Sequence, residues 1–345
     1  MGNYLSNYFS NLSLRLAKTV YEKYVTRENI QRALFLTGLS FASYNLLSVT
    51  GKIASYLLTT ESNLISRYGV DSWALVTGGS DGIGKQFALQ LASKGFNIVL
   101  VARNEEKMNG VREEIASKFP NIRVRIVVAD FSNCAEPGFF ERIESEVADL
   151  DISILLNNVG DACIDEYHLI PYEKIRNLVL LNCLSQALMT RVFLPKLLKR
   201  TTKKIRSAIL DVSSLASEYP RPYLQLYAAT KTFSQFLSEG LAQEHPNLDI
   251  ISLKPGLVAT KMIGDKKLDM KVCTAEQFVS ASLRYLGKTN STAGHWKHQY
   301  LSAFLGAMPE GMLQKRLKKN LWVLLQENKA GQSVATAAAA AKSTN

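Results

Sequence analysis

The sequence predicts an α/β protein: a doubly wound parallel sheet of six to seven strands, preceded by an N-terminal membrane-associated helical segment. Three observations carry this reading. Between Ser72 and Leu286, short apolar runs alternate with amphipathic stretches, the pattern of βαβ units with both sheet faces covered. The 345-residue chain is 47 % apolar and 21 % charged, which suits a packed core and excludes a disordered chain. Of a net charge of +11, residues 1–70 carry +4 and residues 288–345 carry +6. Basic flanks around a nearly neutral centre suit an anionic membrane surface. They argue against nucleic acid, whose partners gather cations beside their working groups.

Taken in order, residues 1–32 are rich in Asn, Ser and Tyr with scattered cations, and Met1-Gly2 with Ser6 fits the N-myristoylation pattern. Ala33 to Gly51 runs without a charge, near the length a spanning helix needs, though its Thr, Ser and Asn suit a surface-lying helix as well. The basic, acid-poor start also fits a mitochondrial address, and no cleavage signal for secretion follows the apolar run. Strands are expected at 73–77, 97–102, 124–129, 152–157, 207–212 and 249–254. Residues 312–326 read as a basic amphipathic helix that either closes the domain edge or makes a second membrane contact, and the low-complexity tail beyond it reads as disordered. Three regions result: a membrane-associated segment over 1–70, a nucleotide-binding domain over 71–310, and a helix with tail over 311–345. Cys134, Cys163, Cys183 and Cys273 lie far apart, which rules out a disulfide scaffold and reads as buried thiols in a reducing compartment. His295 and His298 form an HxxH pair with no acid placed to complete a metal site, so no metal is expected.

The first strand runs into Gly78-Gly79-Ser80-Asp81-Gly82-Ile83-Gly84 and then a helical stretch. A strand, a glycine-rich turn and a helix start together form a dinucleotide cradle. Gly78 permits the tight turn, Gly82 lets backbone approach the pyrophosphate, and Gly84 allows helix and strand to pack closely. This context predicts a Rossmann-type sheet. At the end of the second strand, Ala102 stands where an acid would hold the ribose 2′-hydroxyl of NAD, and Arg103 follows it. That removes a repulsion and adds a cation for a 2′-phosphate, so NADP(H) is the expected cofactor.

Tyr227 and Lys231 stand four residues apart at the start of a helical segment, one turn apart on one face. A phenol with a pKa near 10 is a poor acid at neutral pH, and a neighbouring cation is expected to lower it. Ser214 ends the fifth strand, where ligands of parallel sheets sit, and its hydroxyl can donate to a carbonyl oxygen. Ser213 is the alternative at that position, and spacing favours Ser214.

The GxxxGxG turn, Ser214 and the Tyr227–Lys231 pair together resemble the short-chain dehydrogenase/reductase family over about Ser72 to Leu286. The resemblance implies that Tyr227 exchanges a proton with the substrate oxygen, that Lys231 assists it and holds the nicotinamide ribose, and that Ser214 polarises the carbonyl. It implies a relay role for Asn182 and cofactor contacts from Asp130, Asn157, Pro255, Gly256, Val258 and Thr260. Residues 161–175 and 256–275 become the substrate wall, with Tyr219 and Tyr223 either lining an apolar mouth or simply packing. A homodimer through 173–199 and 224–245 is also implied. Arg67-Tyr68-Gly69, Ser72-Trp73-Ala74, Val258-Ala259-Thr260-Lys261-Met262 and Ala293-Gly294-His295-Trp296 further resemble the membrane-bound very-long-chain 3-oxoacyl-CoA reductases and their 17-beta-hydroxysteroid dehydrogenase relatives. That branch implies NADPH-dependent reduction of a 3-oxoacyl-CoA in fatty-acid elongation at the endoplasmic reticulum, with elongation-complex partners. The chain ends Lys342-Ser343-Thr344-Asn345, without the dilysine signal that the branch often carries. A ketosteroid or other apolar ketone as substrate, and an accessory subunit that retains the fold and nucleotide, are the competing readings.

Overall fold

The computed structural model describes residues 25–201, 205–261 and 272–343, with five further positions between 15 and 23. The myristoylation pattern at Met1 to Ser6 lies outside the described residues, as do 262–271 of the expected substrate wall. The chain divides into two units, Met1–Lys52 and Ile53–Asn345. Helix α1 (Arg27–Leu58) carries the uncharged run and leaves Leu34, Phe35, Leu36 and Phe41 exposed. Among the described residues, the stretch long and apolar enough to cross a membrane is another one, 172–201. Its Leu178, Met189, Phe193 and Leu197 are fully buried in the second unit, which marks it as a core helix.

The second unit is built on a parallel sheet of seven strands: β1 (Trp73–Thr77), β2 (Asn97–Ala102), β3 (Val124–Val128), β4 (Ile152–Asn157), β5 (Ala208–Val212), β6 (Asp249–Leu253) and, beyond a small pair described below, β9 (Ser291–Thr292). Their order in the sheet is β3-β2-β1-β4-β5-β6-β9. Every residue of β1, β2, β4, β5 and β6 is buried, which is why these strands read as unbroken apolar runs rather than alternating ones. One face packs Phe87, Phe96 and Phe278, and the other Met189, Phe193 and Leu197. Burial of a large aliphatic or aromatic side chain contributes about 1.5–3 kcal/mol, so these two layers dominate the fold.

The short helix α2 (Leu64–Tyr68) is part of this unit, with Leu64 and Tyr68 buried. Arg67 and Tyr68 both bond Asp249 at the start of β6. Residues 53–70, set with the N-terminal segment in the sequence, lie in this second unit. Helices α3 (Gly82–Ser93), α4 (Glu105–Lys118), α5 (Phe139–Ser145), α6 (Tyr172–Val179), α7 (Ser185–Thr201) and α8 (Gln225–Glu244) flank the sheet. A π-helical turn, Leu180–Leu184, joins α6 to α7. After β6 come the parallel pair β7 (Leu257–Ala259) and β8 (Val272–Thr274), then α9 (Ala275–Leu283), α10 (Trp296–Gly306) and α11 (Glu310–Ser343). Helix α11 continues through residues expected to be disordered, because an alanine-rich run has the highest intrinsic helix propensity.

Candidate active site

Strand order reverses between β1 and β4, and the crevice beyond their carboxyl ends is where ligands of open parallel sheets sit. The glycine turn leaves β1 at this point. Gly78 has φ +63°, a conformation that favours glycine. A Cβ on Gly84 would lie 2.2 Å from the Gly78 carbonyl oxygen, so only glycine lets α3 start this close to the turn. Asp81 caps α3 by accepting from the Gly82 amide at 2.8 Å, and Lys261 pairs with it at 2.8 Å. Those contacts hold its carboxyl below the usual range, the Lys261 hydrogen bond first. Ser80 and Ile83 lie half-buried on the turn and first helical residues. Thr260 approaches from the far side, 3.2 Å from where a Gly82 Cβ would stand.

The residues fit a dinucleotide. The turn offers bare backbone, and the helix start offers amides to a phosphate. Arg103 is exposed immediately past buried Ala102 at the end of β2. Asp130, past β3, caps a short helical turn by accepting from the Ser132 amide at 3.0 Å.

Asn157 does not face the turn. Its side-chain amide donates to Thr190 at 3.0 Å and to Asp211 at 2.8 Å in the buried layer. The neighbour Asn158 holds the turn instead, donating to the carbonyls of Thr77 at 3.1 Å and Gly78 at 3.3 Å. Of the two asparagines expected to support the cofactor pocket, Asn157 thus turns its side chain into the buried layer, and Asn158, just past β4, turns its own to the glycine turn.

Ser214, Tyr227 and Lys231 converge beyond β5. Ser213 is fully buried and donates to the Lys231 carbonyl at 2.7 Å, a structural role. Ser214 is half-buried, accepts from the Ala216 amide at 3.0 Å, donates to the Pro255 carbonyl at 3.5 Å, and opposes the effect of burial on the Tyr227 hydroxyl. Lys231 is buried and donates to the Val212 carbonyl at 2.8 Å, with its ammonium 5.7 Å from the centre of the Tyr227 ring. Burial lowers this ammonium to about 8.

The expected depression of the phenol by Lys231 is not what this arrangement shows. Burial raises the Tyr227 hydroxyl above its ordinary value, and the opposing effects come from Ser214 and from Arg221. Sequence reasoning missed Arg221, which is held by the Leu215 carbonyl at 2.6 Å. The only signal was a cation between Ser214 and Tyr227.

Asn182 is buried in the π turn, a feature that often marks functional sites. It accepts from the Asp161 amide at 2.8 Å and donates to the Asp161 carbonyl and the Thr230 hydroxyl, each at 2.9 Å. A Cβ on Gly160 would stand 3.0 Å from Asn182 Oδ1 and 3.2 Å from Lys231 Nζ, so both polar ends meet above that glycine.

Pro255, whose carbonyl accepts from the Leu215 amide at 2.9 Å, opens the segment through Gly256 and Val258. A Cβ on Gly256 would meet His298 at 2.7 Å. His298 is fully buried between the Leu257 carbonyl at 3.1 Å and Cys273 at 3.6 Å, and burial keeps its ring neutral, near 4. Among the described residues, no three His, Cys, Asp or Glu side chains cluster as metal ligands. On the substrate side, Tyr223 has φ +65° and its carbonyl accepts from the Asp165 amide at 2.9 Å. Tyr219 packs against Leu305, Leu313 and Leu317 of the C-terminal helices.

Residues 72–271 match the family model for short chain dehydrogenase. The chain is 34% identical to the very-long-chain 3-oxoacyl-CoA reductase of Coccidioides immitis across 81% of this chain and 83% of that protein. It is 36% identical to the protein of the same name from Mus musculus across 70% of this chain and 77% of that one. Among solved structures, a short-chain dehydrogenase from Sphingobium yanoikuyae in complex with NADPH superposes with a TM-score of 0.54 at 27% identity, covering 62% of this chain and 84% of that one.

Proposed function

The chain belongs to the short chain dehydrogenase family, and from that premise we propose that it reduces the 3-oxo group of a long-chain or very-long-chain acyl-CoA to the 3-hydroxyacyl-CoA of fatty-acid elongation, with NADPH. The observation that carries the chemistry is the meeting of Ser214, Tyr227 and Lys231 beside the glycine turn. The substrate class is supported by the names of the relatives that match over most of the chain.

The glycine turn, the start of α3, Arg103 and Thr260 hold the dinucleotide, which supplies a hydride when bound. The Ser214 hydroxyl accepts from Ala216 at 3.0 Å and donates only a long bond, 3.5 Å, to the Pro255 carbonyl, and it turns that proton to the carbonyl oxygen of the substrate. That hydrogen bond stabilises the negative charge that grows on this oxygen as its carbon is reduced. Tyr227 then gives its proton to the same oxygen, and the C=O becomes CH–OH. The phenolate left behind is stabilised by Ser214 and Arg221. Lys231 and Asn182, meeting above Gly160, return a proton to it from solvent.

The basic flanks and the exposed apolar side chains of α1 support residence at a membrane, which the reading places at the endoplasmic reticulum. Exposed Tyr172 on α6 and Phe233 and Phe236 on α8 support a homodimer through those helices. The deciding experiment is a substrate panel with NADPH and NADH compared. Cofactor oxidation dependent on a long 3-oxoacyl-CoA is expected. Turnover of ketosteroid alone, or of no ketone at all, overturns the substrate assignment.

A further inference from the structure

The last two helices present a surface that the reductase chemistry does not use. On α10, Trp296, Tyr300 and Phe304 recur every four residues and are 38, 48 and 37 % exposed. The Tyr300 and Phe304 rings stack at 6.2 Å. On α11, Leu313, Leu317, Leu321 and Leu325 are buried at the same spacing, and this fixes which face looks outward. Outward stand Met312, Trp322 and Val323, between 44 and 60 % exposed, interleaved with exposed Lys315 and Lys319. Arg316 joins the two helices, its guanidinium 5.3 Å from the centre of the Phe304 ring. No acidic residue occurs between Glu310 and Glu327.

Contiguous outward apolar side chains need an occupant. A second copy would set these cations against their own kind. A nucleic acid would leave Met312 and Val323 unused. The boundary of a bilayer takes both groups: aromatic and aliphatic side chains enter at headgroup level, while lysines extend to anionic phosphates. We propose that the outward face of α10 and α11 docks on an anionic lipid surface.

The same helices also hold the loops on either side of Tyr227. Ser302 donates to Glu218 at 3.1 Å, Leu313 and Leu317 pack with Tyr219, and Lys329 pairs with Glu166 at 3.1 Å. Docking therefore sets the rim of the cleft at the lipid, where a long acyl chain resides; this consequence, unlike the docking itself, rests on the reductase reading.

The protein carries its own probe. Of its three tryptophans, Trp73 is 6 % exposed, and the other two lie on the proposed surface. Full-length protein is added to vesicles of acyl-brominated phosphatidylcholine with or without phosphatidylserine. Tryptophan emission should be quenched in the anionic vesicles, and Trp322→Phe should remove the larger part of that quenching. Each surface lysine strengthens binding to anionic lipid by about 1 kcal/mol, so Lys315→Glu with Lys319→Glu should weaken the local contact more than about 30-fold, the loss of two cations alone. Emission unquenched in anionic vesicles, or quenching that ignores both phosphatidylserine and the charge reversal, overturns the proposal. With a water-soluble short 3-oxoacyl-CoA the double variant should match the wild type, while on a long-chain substrate held in anionic vesicles it should be several-fold slower. If neither protein turns over either substrate, the reductase reading fails while the quenching result stands on its own.

Discussion

The two edges of the parallel sheet use polar residues in opposite ways. At the amino edge ion pairs gather around the strand starts. Arg67 and Arg206 meet Asp249 at 2.5 and 2.9 Å, Arg123 meets Asp71 at 2.5 Å, Arg125 meets Asp149 at 2.6 Å, and Arg200 pairs with Asp151. At the carboxyl edge ion pairs such as Lys261–Asp81 and Lys254–Glu218 also occur, but the two catalytic groups, Lys231 and Tyr227, meet neutral partners. Lys231 bonds the Val212 carbonyl, and the Tyr227 hydroxyl is influenced by the Ser214 hydroxyl. A charge with a counter-charge is fixed in its ionised state. A charge without one has its protonation set by burial, which moves Lys231 to about 8 and leaves its proton exchangeable near neutrality. One edge holds the fold and the other performs the chemistry.

The sharpest test of that separation is Tyr227→Phe. Turnover should fall about 10³-fold, with dinucleotide affinity and melting temperature unchanged, as read by steady-state kinetics, calorimetric titration and thermal melts. A large loss of stability in this variant would erase the distinction between the edges. The converse variant, Asp249→Ala, strands Arg67 and Arg206 and should cost about 3 kcal/mol in urea unfolding, while kcat per folded molecule holds. A kcat that fell with stability would show the edges to be coupled. Within the carboxyl edge, Arg103→Ala should raise the KM for NADPH about tenfold and leave that for NADH alone; an equal change for both would remove the 2′-phosphate contact.

The smallest effect is one of pH. Asp211 lies fully buried on β5, and burial, offset only in part by the Asn157 amide, raises its carboxyl from 3.8 to about 6. Through that window the folded state keeps a proton that the unfolded chain has released, so stability contributed by this group falls as pH rises. Plotted against pH, the melting temperatures of wild type and Asp211→Asn should diverge there by about 3–5 °C per pH unit. Parallel curves would mean that Asp211 is ionised throughout.

The cofactor half was legible because its requirements are local. A left-handed φ at Gly78 and the lack of space at Gly84 each demand glycine, and strands buried on both faces must be apolar along their length. The substrate half was less so, since its contacts join distant segments. The cation that precedes Tyr227 in sequence does not by itself announce that its charge acts on the phenol, and only packing separates Asn157, turned inward, from Asn158, turned to the glycine turn. The tie of Arg67 and Tyr68 to the sheet was hidden for the same reason, because it runs through an acid more than 180 positions away.

What the amino-acid order determined by itself is whatever depends on near neighbours: the succession of strands and helices, the turn that must be glycine, and one helical turn between Tyr227 and Lys231. What only the tertiary structure decided is which partners those groups meet. The Val212 carbonyl takes the Lys231 ammonium, a π turn brings Asn182 to Asp161, and the C-terminal helices brace Tyr219. Local geometry follows from covalent spacing, whereas a protonation state follows from burial and neighbouring charge, which exist only once remote parts of the chain have packed together.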